Sequence, residues 1–243
     1  MLTRCLMLLI AVFAGALNAA ETIRFSNYDW TVKEGWNGPG PNNFDAHNVL
    51  VDEQGRLHLK LTFRDGKWYG AEVISKERFG FGQYQWQIIG RPDQFDDNVV
   101  LGLFNYPTTE IGPDGTNEID IEFARWGNPE NNIGNWSVHP PQRKAPAGGH
   151  QYPVKFDGDD TTHRFEWTRR SVAFESLFGH REWSDTATGE ITHYLFQPED
   201  PERSIPQQPM SIRMNLWLFR GWPPKNGQEV EIVIRAFQFT PAK

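Results

Sequence analysis

Cysteine is close to absent from this chain. The single copy, Cys5, falls in an apolar run of ten residues from Cys5 to Ala14. Arg4 precedes the run and the small residues Gly15, Ala16, Ala19 and Ala20 follow it, which is the layout of an export signal. Residues 1–20 are therefore read as a signal peptide and residues 21–243 as the mature chain, expected to be secreted or periplasmic. Losing Cys5 leaves a mature chain without thiols, which excludes disulfides and zinc–thiolate sites. The apolar run is too short for a membrane span, which takes roughly 20 residues, and no cysteine stands at the cleavage site to carry a lipid.

Positive charge is also scarce. Lys and Arg number 24 against 31 Asp and Glu, and the formal charge of −7 becomes −8 when Arg4 leaves. Nucleic acid and anionic membranes are bound chiefly through Lys and Arg, so neither suits this chain, whereas a neutral polymer does. Helical periodicity is missing from every segment of ten or more residues, and there is no internal repeat and no linker between domains. The remaining roughly 220 residues suit one large domain, and a monomer is expected.

What the chain does have is short alternating or apolar segments separated by turns. Leu57 to Phe63, Ala71 to Ser75, Gln83 to Ile89 and Val99 to Tyr106 read as strands. Asp65-Gly66, Gly80 to Gly82 and Arg91-Pro92-Asp93 punctuate them. That pattern predicts an all-β antiparallel sandwich. Aromatic residues reach 14%, including ten Trp, and fit either an oily core or platforms for sugar faces. Residues 140–161 and 197–209, rich in Pro, Gly and charge, read as surface loops.

One stretch carries chemistry. In Glu118-Ile119-Asp120-Ile121-Glu122-Phe123 the acids alternate with apolar residues, so the segment reads as a strand with one acidic and one oily face. A helix would throw Asp120 among the isoleucines. Carboxylates held close raise at least one pKa, which suits glycoside hydrolysis, where one carboxylate attacks the anomeric carbon and another delivers a proton. Cα atoms four apart on a strand stand about 13 Å from each other, so the two Glu side chains must lean inward. The spacing also fits a strand whose solvent face is acidic. A hard cation is a third use, but it needs oxygen ligands that the local sequence does not supply.

Asp114-Gly115-Thr116-Asn117 followed by E-I-D-I-E-F resembles the signature of glycoside hydrolase family 16, the family of lichenases, laminarinases, agarases and xyloglucan transglycosylases. The resemblance runs from about residue 25 to 240. It implies a β-jelly roll, concanavalin A-like, of two curved antiparallel sheets with a cleft on the concave face. It also implies a nucleophile at Glu118, a helper at Asp120 and an acid/base at Glu122. The spacing lacks the extra residue of laminarinase-type members and is nearer the lichenase and xyloglucan-enzyme form.

Several flanking strands carry the same resemblance. Gly70 to Ser75 places Glu72 where the family contacts sugar, with Ile74 where lichenases have Arg; Leu103 to Tyr106 offers Phe104 and Tyr106 as cleft aromatics. His163 to Trp167 and Val172 to Glu175 resemble scaffold strands. Met214-Asn215-Leu216-Trp217 matches the strand whose Asn215 and Trp217 line the cleft, and alternation puts those two on one face independently. In Asn135 to His139, Asn135 and His139 are candidate contacts if that face points inward; the opposite register would point Trp136 inward. Asn135-Trp136-Ser137 also fits the glycosylation sequon, set aside because a glycan there would block the cleft. Trp126 follows the acids directly, and Trp222, on an expected loop, is a candidate extension of the cleft. No organic cofactor is expected; some members of the family hold a structural calcium, but no residues here mark its ligands. The expected activity is retaining endo-hydrolysis of a β-linked polysaccharide, of β-glucan type. The alternatives are a transglycosylase using the same acids and a non-catalytic, lectin-like carbohydrate-binding module.

Overall fold

Asp65 and Gly66 both take positive φ, 49° and 75°, and so turn the chain back on itself between paired Arg64 and Lys67. A two-residue turn of this kind matches the twist of the strands that it joins. The computed structural model describes residues 20–185 and 189–243, so all but the last residue of the expected signal lies outside the described residues. The first strands are β1 (Thr22–Phe25), β2 (Tyr28–Val32), β3 (Gly35–Asn37), β4 (Asn42–Phe44), β5 (Val49–Val51), β6 (Leu57–Arg64), β7 (Lys67–Phe79), β8 (Gly82–Ile89) and β9 (Val99–Tyr106). They are followed by β10 (Glu118–Phe123), β11 (Gly134–His139), β12 (Gly148–Tyr152), β13 (Asp160–Trp167), β14 (Val172–Phe178), β15 (Glu190–Phe196), β16 (Met210–Leu218) and β17 (Val230–Pro241). Among the described residues the longest helix is the four-residue turn Pro201–Ser204, and no helix is long and apolar enough to cross a membrane.

Pairing arranges the strands in two layers. One runs β1, β2, β7, β16, β9, β10, β11, β12. The other runs β5, β6, β17, β8, β13, β14, β15. The β6–β7 hairpin joins them, and among the described residues only β4 beside β7 is parallel. Between the layers lies one buried cluster, to which β9 gives Val99, Leu101 and Leu103, β16 gives Ile212, Met214 and Leu216, and the opposite layer gives Tyr84, Trp86 and Phe165.

The acidic strand is placed by its oily face. Ile119, Ile121 and Phe123 are each 0% exposed, and burying each contributes roughly 1.5–3 kcal/mol. A slip of one residue would exchange them for three carboxylates in the core, so the register of β10 is strongly fixed. The expected loop at 140–161 differs from the structure, because it contains β12. Gly148 and Gly149 give that strand no alternation to read. It is held by pairing with β11 and by Tyr152, whose ring lies over Gly134 so closely that a Cβ there would be 2.4 Å from it. The expected loop at 197–209 likewise holds the turn Pro201–Ser204.

Candidate active site

Antiparallel register places the outward side chains of the first layer in rows. One row reads Asn135, Glu122, Gly102, Asn215, Glu72, and the next reads Ser137, Asp120, Phe104, Arg213, Ile74. His139 stands opposite Glu118 in a third. Neighbouring strands are about 4.7–4.9 Å apart, so the rows form a continuous floor. Above it opens a cleft of about 620 Å³, lined by Glu118, Glu122, Phe104, Tyr106, Asp114, Arg213, Asn215, Trp217, Lys33 and the loop Asn37 to Gly40. Glu118, Glu122 and both expected aromatics of β9 therefore meet in one concavity.

Glu118 and Glu122 are partly accessible, yet each sits deep among protein atoms, whereas Asp120 is buried. Burial raises the Glu122 carboxyl well above the ordinary carboxylate range, and the charge of Asp120 raises it further. Glu118 is raised in the same way, by burial first, then by the charge of Asp120 and a hydrogen bond shared with it, then by Glu122 and Asp114. Nε2 of His139 lies 3.3 Å from Asp120 Oδ2, a charge contact rather than an aligned hydrogen bond. That contact raises the His139 pKa against the opposing effect of burial. The cleft thus retains protons on carboxyl groups, one of which can be given to a departing oxygen.

Phe104 meets Tyr106 edge to face with ring centroids 6.0 Å apart, and the Tyr106 hydroxyl donates to Asp114. Trp126, at φ 54°, is turned back from the end of β10. Its Nε1 donates to Asn135 Oδ1 at 3.2 Å and its ring lies 6.5 Å from Trp217, behind the cleft lining. Asn135 is buried, donating to the carbonyls of Ala124 and Ile133 at 2.9 Å each, so it positions Trp126 and is closed to a glycan. Trp136 packs in the core and His139 faces Asp120, which is the register expected with His139 inward.

Besides Trp126, Asn135 and His139, two further expected contacts, Glu72 and Trp222, stand outside the cleft lining. Glu72 is 0% exposed, and its carboxylate accepts from Lys33 Nζ at 2.9 Å, Arg213 at 3.1 Å and Asn215 Nδ2 at 3.4 Å, which enclose it beneath the surface. Trp222 is 45% exposed and packs against Phe219. Conversely, Lys33, Asp114, Arg213 and the loop Asn37 to Gly40 line the cleft without having been singled out. Alternation carried the signal for Arg213, which shares a face with Asn215 and Trp217; nothing local marks Lys33. Ligand atoms of Glu118, Asp120 and His139 lie within 4.8 Å of one another. That mixed nitrogen and oxygen set suits a transition metal better than calcium.

The chain matches the model of glycosyl hydrolases family 16 over residues 42–233. No curated protein matches it in sequence. Among solved structures, it resembles a prokaryotic β-1,3-1,4-glucanase (lichenase) from a mouse hindgut metagenome, with TM-score 0.64, 19% identity and coverage of 91% of this chain and 99% of that one. It resembles a Bacillus licheniformis β-glucanase with TM-score 0.63 and 21% identity over 93% and 100% of the two chains. It resembles a pseudo β-1,3-glucanase of Mycobacterium tuberculosis with TM-score 0.65 and 18% identity over 88% and 91%. These likenesses identify the fold as the β-jelly roll. Because the matched residues include every strand of the cleft floor from β7 to β16, the chain is a glycosidase that belongs to glycosyl hydrolases family 16.

Proposed function

We propose that the protein is an exported, retaining endo-hydrolase of a β-linked polysaccharide of β-glucan type. Glu118 is the nucleophile and Glu122 the acid/base. Glu122, held protonated by burial and by Asp120, gives its proton to the glycosidic oxygen as Glu118 attacks the anomeric carbon. The resulting glycosyl-enzyme is opened by water, from which Glu122 takes back a proton. The proton that Glu118 shares with Asp120 passes to Asp120, which becomes neutral and leaves the negative charge on Glu118 for the attack; His139, 3.3 Å from Asp120, holds that carboxyl in place. Asn215 and Trp217 supply an amide and a ring to the sugar, the usual mixture of such a site. The observation that carries the reading is that Glu118 and Glu122 open from one strand face into the same cleft.

The test is reducing-end release by the purified mature chain on barley glucan, laminarin, xyloglucan, agarose and carrageenan, each beside Glu118→Gln. Release from a β-glucan that Glu118→Gln abolishes, with the β-anomer formed first by NMR, is expected. Formation of longer oligosaccharides would show transglycosylation. Binding of a polymer without cleavage would make the protein a binding module.

A further inference from the structure

Glu72 is one carboxylate between two cations. Its two oxygens are taken by Lys33 and Arg213, whose side chains are 10% and 23% exposed. One cation would neutralise it; the second leaves a positive excess on the floor of a cleft that is otherwise acidic. Like charges brought together cost free energy, and Lys33 has its pKa lowered by burial and, in part, by Arg213 itself. Arg213 Nε is buried with no partner, although its guanidinium lies 4.3 Å from the centre of the Tyr106 ring. Two residues along the same strand face, Asn215 Oδ1 is also without a donor. Buried polar groups left unpaired are expensive, and these two lie on the side chains that line the cleft. Asp114, the acid on this flank, is engaged by the Tyr106 hydroxyl.

We propose that Arg213, with Lys33 behind it, is a specificity residue that receives an anionic substituent, a carboxylate or a sulfate, carried by the glycan. An Arg fork matches the planar or tetrahedral oxygens of such groups better than it matches single hydroxyls. Arg213 stands in the same row as Asp120, two strands away, about 9.5 Å across the sheet. The charged group would therefore sit on a sugar close to, but not at, the bond that is cut. This inference rests on the cleft being a glycan site and narrows the proposed substrate to a β-glycan bearing acidic groups.

The experiment uses oligosaccharides of one β-glucan in three forms: neutral, oxidised at C6 to the uronate, and sulfated. Turnover is measured with the wild-type protein and Arg213→Gln, and binding by calorimetry with Glu118→Gln alone and combined with Arg213→Gln. Arg213→Gln leaves Lys33 to neutralise Glu72, so the variant is expected to fold, which circular dichroism checks; Lys33→Met, which leaves Arg213, is the second variant. The expected result is a preference for one acidic form that falls by about 10- to 100-fold in Arg213→Gln, the scale of one charge-assisted hydrogen bond, with less change on the neutral form. Whether the uronate or the sulfate is preferred names the source. Equal handling of all three forms, or an equal fall on all three in the variant, would overturn the inference and leave the hydrolase reading intact. Selective binding of an acidic form without turnover would support the inference and overturn the hydrolase. Neither binding nor turnover would overturn both.

Discussion

Gly102 and Asn215 face each other across β9 and β16 so closely that a Cβ on Gly102 would stand 2.6 Å from Asn215 Oδ1. It would also stand 3.2 Å from two atoms of the Phe104 ring. Gly102 is therefore the gap in the row between Glu122 and Asn215, and it leaves space for both side chains. Gly102→Ala is expected to displace Asn215 and Phe104, lowering stability by about 1–3 kcal/mol as overpacking does. Turnover should fall about ten-fold, since 1.4 kcal/mol of lost positioning is enough for that. Thermal unfolding and kcat/KM measured together check it; an unchanged kcat/KM would mean that Asn215 has no part in the site.

Proton uptake in the cleft makes stability depend on pH. Glu118 and Glu122 have native pKa values above their unfolded ones. The native state then holds protons that the unfolded state has released, so the stability they contribute is full below about pH 4.3 and is lost as pH rises through their native values. His139 is raised as well, through its contact with Asp120. Its contribution is present below about pH 6.5 and is likewise lost on going up through its native value. Both effects have the same sign, so Tm should decline between about pH 5 and pH 8. Glu122→Gln should flatten that decline and unfold at a higher temperature than wild type at the alkaline end. A Tm of Glu122→Gln that falls in parallel with wild type would show that Glu122 does not carry the proton.

Glu72 yields a prediction opposite to that of a surface sugar contact. Its replacement by Gln removes the carboxylate between Lys33 and Arg213 and leaves two partly buried cations facing each other. Breaking a buried ion pair by removing one partner costs about 3–5 kcal/mol. Glu72→Gln should therefore lower the denaturant midpoint markedly, and adding Lys33→Met to it should recover part of the loss. A variant with wild-type stability and weakened substrate affinity would return Glu72 to the role of a direct contact.

The parts of this site visible in the sequence are those that period two can encode. Glu118 to Phe123, Val99 to Tyr106 and Met214 to Trp217 each declare a buried and an open face, and the structure places Glu118, Phe104 and Trp217 on the open one. Arg213 obeys the same rule, sharing its face with Asn215 and Trp217, although it is not among the residues expected at the site. Lys33 and Glu72 meet across 39 residues of chain, a pairing that depends on β7 lying beside β2 and is written in neither segment. The enclosure of Glu72 was hidden for the same reason, because exposure is decided by what arrives from elsewhere. β12 leaves no alternation in the sequence because its two glycines have no side chains.

The sequence places Trp217 in the cleft lining and offers Trp222 as an extension of the cleft, and the structure separates them. Trp217 is 8% exposed, lines the cleft and is braced by Trp126 at 6.5 Å. Trp222 is 45% exposed, outside the lining, with Phe219 and Arg220 as its neighbours. A braced ring at the cleft wall can stack on a sugar without first being ordered, whereas an exposed one must lose its own freedom to do so. Trp217→Ala should raise KM about ten-fold, consistent with an aromatic contact worth roughly 0.5–1.5 kcal/mol beyond the area that it buries. Trp222→Ala should leave KM on short oligosaccharides within about two-fold, a change of less than 0.5 kcal/mol, as at an ordinary surface position. Long polymer and short oligosaccharide measured side by side decide whether Trp222 lies on the path of the chain beyond the cleft. A KM effect confined to the polymer would place it there; an effect on both would put it in the cleft itself.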